Sequence, residues 1–322
     1  MHPVGGPGSS DTSDTFASPT TSETSRGHSP AQPPDSPAGP AAPAAHAGPG
    51  AGWEEEAARS LRRVRQARPL IHHLTNLVVM QWTANVTLAL GASPIMAPEP
   101  EEFPAITGRA GTLVINIGSL RARDVEDFLA AQREARRHGV PVILDPVGAG
   151  FTPLRLETSR RLLEQGVTAV RGNGAEILAL AAPDRAAGRS RGVDSERVPL
   201  EEVAGAAREL ATRYGCTVVA SGATDLVTDG RRLWAVDNGH PLLAVVTGGG
   251  CAATAAVAVF LAGSEDPARD AALAMAVYGR AAERAASRAA GPGSFQAALL
   301  DELYALGAAG TARVDGLRIR EA

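Results

Sequence analysis

Three glycines and a cysteine, Gly248, Gly249, Gly250 and Cys251, stand between an apolar run from Leu242 to Val246 and a small-residue stretch from Ala252 to Leu261. The run reads as a buried strand and the stretch as a packed helix. Glycines at such a junction let the backbone turn sharply and leave N–H groups unshielded by side chains. At a helix N-terminus those groups form an anion site. Cys251 falls on the first helical turn, where the helix field is expected to acidify a thiol. A phosphate cradle with a reactive group at its lip points to phosphoryl transfer. The plainer reading is also available: glycines as punctuation, and a lone cysteine as a buried structural residue.

Carboxylates and a cation recur at other junctions. Asp145 ends the run PVILD, and Pro146 and Gly148 follow it, so no helix begins until after Pro153. Its carboxylate is therefore expected to be free for a metal, directly or through water. In Arg171-Gly172-Asn173-Gly174-Ala175-Glu176, Asn173 and Glu176 have capping-box spacing. The alternative is that Glu176 holds the water shell of Mg²⁺ while Arg171 meets a nucleotide phosphate. Magnesium sites commonly take one or two carboxylates plus substrate phosphates, which Asp145 and Glu176 would supply. His72 and His73 are adjacent on a strand and point to opposite faces, so they are not expected to share a metal. Met96, beside Pro94 at a strand end, reads as core or as the soft wall of a pocket for an aromatic ring.

The elements that must position these residues alternate. Strands are predicted at Leu70–His73, Ser93–Met96, Thr112–Ile117, Pro141–Asp145, Thr168–Arg171 and Thr217–Ser221. Helices are predicted at Trp53–Ala67, Thr75–Leu90, Glu101–Arg109, Arg123–His138, Leu154–Gln165, Asn173–Ala181 and Leu200–Tyr214. A polar loop covers 183–198, a hairpin turns at Asp229-Gly230, and Ala-rich helices run to about Gly307. This alternation implies an α/β fold with a mostly parallel, doubly wound sheet flanked by helices. Sites in such sheets lie at the carboxyl ends of the strands. Asn76, Asn116, Asp145, Arg171, Ser221 and Gly248 all fall there, as one site requires.

Composition narrows the classes further. Residues 1–52 are rich in Pro, Ser, Ala and Gly and read as a disordered leader, with 53–322 as a single domain. The net charge of −4 comes with no basic stripe, so nucleic acid is not an expected partner. No apolar run reaches the roughly 18 residues of a membrane span, and two cysteines give no disulfide framework, so a cytoplasmic setting is expected. All 31 basic residues counted as Lys or Arg are arginine. The absence of lysine excludes a Walker-type phosphate loop, Schiff-base chemistry and a protein-kinase ATP site.

Taken in order, PLIHHLTN, ALGASPIMA, LVINIGSL, ILDPVGAG, VRGNGAEI, RGVDS, VTGGGCAATA and GPGSF closely resemble hydroxyethylthiazole kinases of the ribokinase-like superfamily, from about Arg68 to Gly307. The resemblance implies a ribokinase-like fold. It also implies transfer of phosphate from Mg·ATP to the alcohol of 4-methyl-5-(2-hydroxyethyl)thiazole, in thiamine biosynthesis and salvage. It further implies a homotrimer with sites at subunit interfaces. By matching positions, Met96, Asn76, Gly118 and Gly248 would line the thiazole pocket. Arg171, Ser221 and Asn173 would meet ATP, and Asp145 and Glu176 would organise Mg²⁺. Gly248, Gly249 and Gly250 would hold the transferring phosphoryl group. Cys251 would stand where most ribokinase-like kinases carry an Asp base. Three positions depart from the family: Gly249 replaces a usual Thr or Ala, Ala244 lies where a Lys is frequent, and His73 stands where the family often has another small residue. The first predicts a floppier turn and the second a cation that is made up elsewhere or forgone. Kinases of hydroxymethylpyrimidine, an ATP- or ADP-dependent NAD(P)H-hydrate dehydratase and a non-catalytic thiazole binder are the alternatives. The cysteine and the LTN and SPIM motifs speak against the first, the cysteine against the second, and the carboxylates with Arg171 against the third.

Overall fold

The computed structural model describes residues 51–182, 198–308 and 314–322. The expected leader lies outside the described residues except at its last two positions, which already belong to the first helix. The RGVDS motif and nearly all of the polar loop also lie outside them.

Parallel strands β1 (Leu70–Leu74), β2 (Ser93–Ile95), β3 (Thr112–Asn116), β4 (Val142–Asp145), β5 (Ala169–Asn173) and β6 (Thr217–Ser221) are joined by helical crossovers. Antiparallel strands β7 (Asp225–Thr228), β8 (Leu233–Val236) and β9 (Ile319–Glu321) extend the sheet. The spatial order is β2-β1-β3-β4-β5-β6-β7-β8-β9. The chain leaves β1 outward to β2 and returns on the other side as β3, so the order reverses between β1 and β3. That reversal opens a crevice at the carboxyl ends of these two strands.

Strand side chains alternate between two apolar cores. Val114, Ile143, Ala169 and Val219 face one, and Leu113, Ile115, Leu144, Val170 and Val218 face the other. The first core is covered by α1 (Ala51–Ala67), α2 (Met80–Ala89), α8 (Gly249–Leu261), α9 (Pro267–Ala286) and α10 (Pro292–Ala308). The second is covered by α4 (Asp124–Arg137), α5 (Pro153–Gln165), α6 (Gly174–Ala181) and α7 (Leu200–Tyr214); the single-turn α3 (Phe103–Ile106) sits at its margin. Helix α8 is buried along its whole length from Ala252 to Leu261. Its alanines let the sheet, α2 and α9 approach it from every side, and Phe260 fills the space that remains.

The helix ends follow local chemistry. The Thr152 and Asp266 side chains cap α5 and α9 ahead of Pro153 and Pro267. Gly215, at φ 61°, ends α7 in the left-handed region that favours glycine.

Three expectations are corrected. Leu242–Val246 is not a strand: Pro241–Val245 forms a 3-10 turn, with Val245 62% exposed. Pro241 cannot donate to a ladder, and His240 Nδ1 accepts the Leu242 N–H at 3.2 Å, which winds the chain instead. Helix α2 begins at Met80 rather than Thr75, because Asn76 Oδ1 accepts the Val78 N–H at 3.1 Å and holds a turn first. The segment 100–109 is a chain of short turns, Pro100–Glu102, α3 and Thr107–Arg109, rather than one helix. Its prolines, Pro100 and Pro104, each remove a backbone donor.

Candidate active site

The crevice between β1 and β3 is bridged by side chains. Asn76, just past β1, donates from Nδ2 to Oδ1 of Asn116, the last residue of β3, at 2.8 Å. Asn116 Nδ2 donates to Asp145 Oδ2 at 2.6 Å and to Cys251 Sγ at 3.1 Å. Thr254, one turn along α8 from Cys251, donates to the same Asp145 oxygen at 2.9 Å. The β3–β4 register sets Asn116 beside Asp145, and α8 brings Cys251 and Thr254 over both. Gly118 closes the group: its N–H donates to Asn116 Oδ1 at 2.9 Å, and a Cβ there would lie 2.5 Å from Asn76 Nδ2. Six residues from four parts of the chain thus meet in one polar cluster. Asn116 and Thr254 are the members without an assigned role in the sequence. The sheet rule places Asn116 at the site but not its partners, which depend on cross-strand register, and Thr254 depends on which face α8 turns inward, which no local motif records.

The glycine turn is more rigid than its sequence suggests. Gly248 caps α8 in the left-handed region at φ 81°, where a Cβ would also strike Val79 and Trp82 of the α2 segment. Gly249 donates its N–H to Val246 O at 3.2 Å and accepts the Tyr278 hydroxyl at 2.9 Å. A Cβ on Gly249 would meet Leu243 O at 2.4 Å, since the 3-10 turn has closed over the position. The expectation of a floppier turn is therefore corrected. Gly249 has committed its N–H, so the amides at N2 and N3, Gly250 and Cys251, are the ones left for an anion.

Arg171 places a cation beside the turn. Its guanidinium lies against the turn, where a Cβ on Gly250 would come within 2.6 Å of Nη1. Nη2 donates to the Ser221 hydroxyl, while the buried Nε has no partner among the described residues. Asn173 and Glu176 form the full capping box of α6: Asn173 Oδ1 accepts the Glu176 N–H at 2.9 Å, and Glu176 Oε2 accepts the Asn173 N–H at 2.8 Å. Glu176 Oε1 also accepts the Gly148 N–H at 2.7 Å. Met96 lies one residue beyond the edge strand β2, partly exposed, on the same edge of the sheet. His72 and His73 pair separately, with Ala97 O and Thr107 for the first and Thr87 for the second, so they serve packing.

Burial sets the electrostatics. It raises the pKa of Asp145 despite Arg171 and the three side chains that hydrogen-bond it. It raises that of Glu176 too, and repulsion from Asp145 adds to the rise. Burial and the Asp145 charge push the Cys251 thiol up to about 12. The expectation of a helix-acidified thiolate is therefore corrected: desolvation and the Asp145 charge disfavour the thiolate, and the resting group is a thiol. Among the described residues no group of three or more His, Cys, Asp or Glu is placed to hold a metal. Two hard carboxylates whose charges are penalised by burial, with Asp145 also opposing that of Glu176, nonetheless suit Mg²⁺, which takes its remaining ligands from water and phosphate.

Residues 61–309 match the profile of the hydroxyethylthiazole kinase family. A hydroxyethylthiazole kinase of Nitratidesulfovibrio vulgaris (strain DP4) is 52% identical over 258 residues, 80% of this chain and 93% of its own. One from Moorella thermoacetica is 46% identical over 269 residues, 83% of this chain and 98% of its own. The solved hydroxyethylthiazole kinase of Pyrococcus horikoshii OT3 superposes with TM-score 0.75 at 38% identity, covering 83% of this chain and 99% of that one. Fold and sequence agree: the chain belongs to the hydroxyethylthiazole kinase family.

Proposed function

We propose that the chain transfers the γ-phosphoryl group of ATP to the hydroxyl of 4-methyl-5-(2-hydroxyethyl)thiazole, in thiamine biosynthesis and salvage. The observation that carries the reading is the Gly249–Cys251 turn. Two free amides and the Arg171 guanidinium converge there beside the buried Asn76–Asn116–Asp145 cluster. In this reading Asn76, Gly118, Gly248 and Met96 hold the thiazole alcohol, with its hydroxyl toward Cys251. Arg171 and Ser221 hold the nucleotide. Asn173 contributes through Nδ2, since its Oδ1 caps α6. Asp145 and Glu176 would hold Mg²⁺, which supplies charge neutralisation between the phosphates when bound.

The chain's own residues then act on the alcohol. The amides of Gly250 and Cys251 and the Arg171 guanidinium stabilise the charge spread over the transferring oxygens. The new oxygen–phosphorus bond forms as the bond to ADP breaks. In a loose transition state the alcohol proton leaves late, so a strong base is not required. A resting thiol at Cys251 is consistent with that order: already protonated, it orients the hydroxyl without taking its proton, which passes late to an oxygen of the transferred phosphoryl group or to water.

The reading extends to a homotrimer in the cytoplasm with sites at subunit interfaces. Its support is the exposure of Leu77, Val78 and Val245 beside Asn76 and Gly248, an apolar rim that a neighbouring subunit would cover. No helix among the described residues is long and apolar enough to cross a membrane. The deciding experiment is an ADP-release assay with Mg·ATP and three acceptor conditions: thiazole alcohol, hydroxymethylpyrimidine and none. Turnover confined to the thiazole alcohol is expected. A preference for the pyrimidine, or ADP release independent of acceptor, overturns the reading. Light scattering tests the trimer separately.

A further inference from the structure

We propose that Asn116 is the positioning residue of this site, holding the Cys251 sulfur and the Asp145 carboxylate in register for the transfer. The inference deepens the kinase reading and rests on it for its kinetic test.

A carboxamide has two N–H donors and two acceptor lone pairs. Asn116 uses all of them. Nδ2 donates to Asp145 Oδ2 at 2.6 Å and Cys251 Sγ at 3.1 Å. Oδ1 accepts from Asn76 Nδ2 at 2.8 Å and the Gly118 N–H at 2.9 Å. A backbone N–H can only donate, so Gly118 fixes which end of the amide is oxygen and forbids the flipped orientation. The nitrogen must then face Asp145 and Cys251. At 3% exposure Asn116 is walled off from a substrate, so it works through its neighbours.

Its four partners are the residues expected to hold the acceptor (Asn76, Gly118), the metal (Asp145) and the reacting hydroxyl (Cys251). They come from the β1–α2 turn, the loop after β3, the end of β4 and the start of α8. No other side chain among the described residues touches all four. Aspartate at this position would keep both acceptors, replace both donors and set a second carboxylate against Asp145. Alanine would remove every contact.

The test uses purified full-length protein carrying Asn116→Ala or Asn116→Asp, read by steady-state kinetics, thermal melting and crystal structures. Kinetically, kcat is expected to fall at least about 30-fold in both variants while KM for ATP stays within about 3-fold. A merely structural role would instead lower active fraction and melting temperature together, leaving kcat per folded molecule unchanged. Structurally, the Cys251 sulfur or the Asp145 carboxylate is expected to move by more than about 0.5 Å in Asn116→Ala. This readout does not depend on the acceptor. If the wild type fails on the thiazole alcohol, the kinase reading falls and the structures still decide the positioning claim. Unmoved Cys251 and Asp145, or wild-type kcat in Asn116→Asp, overturns it.

Discussion

Replacing Gly249 with alanine asks whether the glycine turn is soft or fixed. The gain is intrinsic: alanine is better than glycine inside a helix by about 1 kcal/mol. The cost is local. The new Cβ would lie 2.4 Å from the Leu243 carbonyl oxygen, a backbone atom that cannot rotate away. Relief needs a movement of roughly 0.8–1 Å between the 3-10 turn and the start of α8, judged against ordinary carbon–oxygen separation near 3.3 Å. Such overpacking costs about 1–3 kcal/mol. The movement also loosens the Gly249 N–H bond to Val246 and its carbonyl bond from Tyr278, each worth about 1 kcal/mol. The net expectation is a loss of about 1–3 kcal/mol, seen as a melting temperature lowered by roughly 3–10 °C in a domain of this size class. The shift also moves the Gly250 and Cys251 amides, so kcat is expected to fall between about 10- and 100-fold. Differential scanning fluorimetry and the ADP-release assay measure both. Tyr278→Phe, which removes one hydroxyl and adds no clash, isolates the hydrogen bond and is expected to cost only about 1 kcal/mol. An alanine variant that melts with the wild type and turns over normally would refute the reasoning, because it would show the 3-10 turn yielding without cost.

Three further expectations follow from the site. Cys251→Ser keeps turnover within about 30-fold of wild type, whereas a committed general base is worth about 10²–10⁴; an inactive serine enzyme contradicts a mechanism in which the sulfur only orients the hydroxyl. Glu176→Ala lowers turnover by roughly 100-fold and stability by about 1 kcal/mol, since it removes both a carboxylate and half of the α6 capping box; full activity at saturating Mg²⁺ rules out its metal role. Asp225 is buried, and its pKa is raised from 3.8 to about 7 mainly by desolvation. The native state therefore holds this proton more tightly than the unfolded chain, and stability falls as pH climbs from about 4 to about 7. Asp225→Asn retains an acceptor for the Gly222 N–H and should flatten that decline; parallel melting curves against pH would refute the assignment.

The architecture was legible because period and punctuation agreed. Apolar runs such as TLVIN and VILD, each followed by a helical period, gave strands within a residue or two of their true ends. Local reading failed where one residue outweighed its neighbours. Pro241 turned an apolar run into a 3-10 turn, and Asn76 delayed α2 by capturing the Val78 amide. The site residues at strand ends were legible through the sheet rule, and the capping box through spacing alone. The protonation of Cys251 was not: position on a helix suggested acidification, while burial beside Asp145 reversed it. Such reversals are invisible in sequence because desolvation depends on what other segments bring. Asn116 illustrates the same limit, since only the assembled crevice reveals its four partners.

The two outer strands have a consequence for handling the protein. Strand β2 is three residues long and contains Pro94, and strand β9 is three residues long with Arg320 paired to Asp237. Short, proline-bearing or charged edges resist edge-to-edge association between molecules. Just inside β9 lies β8, Leu233-Trp234-Ala235-Val236, whose apolar backbone edge is covered only by that final strand. Removing the last four residues would bare it as a template for intermolecular pairing. A tag fused at the carboxyl terminus pulls on the same cover, so an amino-terminal tag is the safer choice for soluble expression.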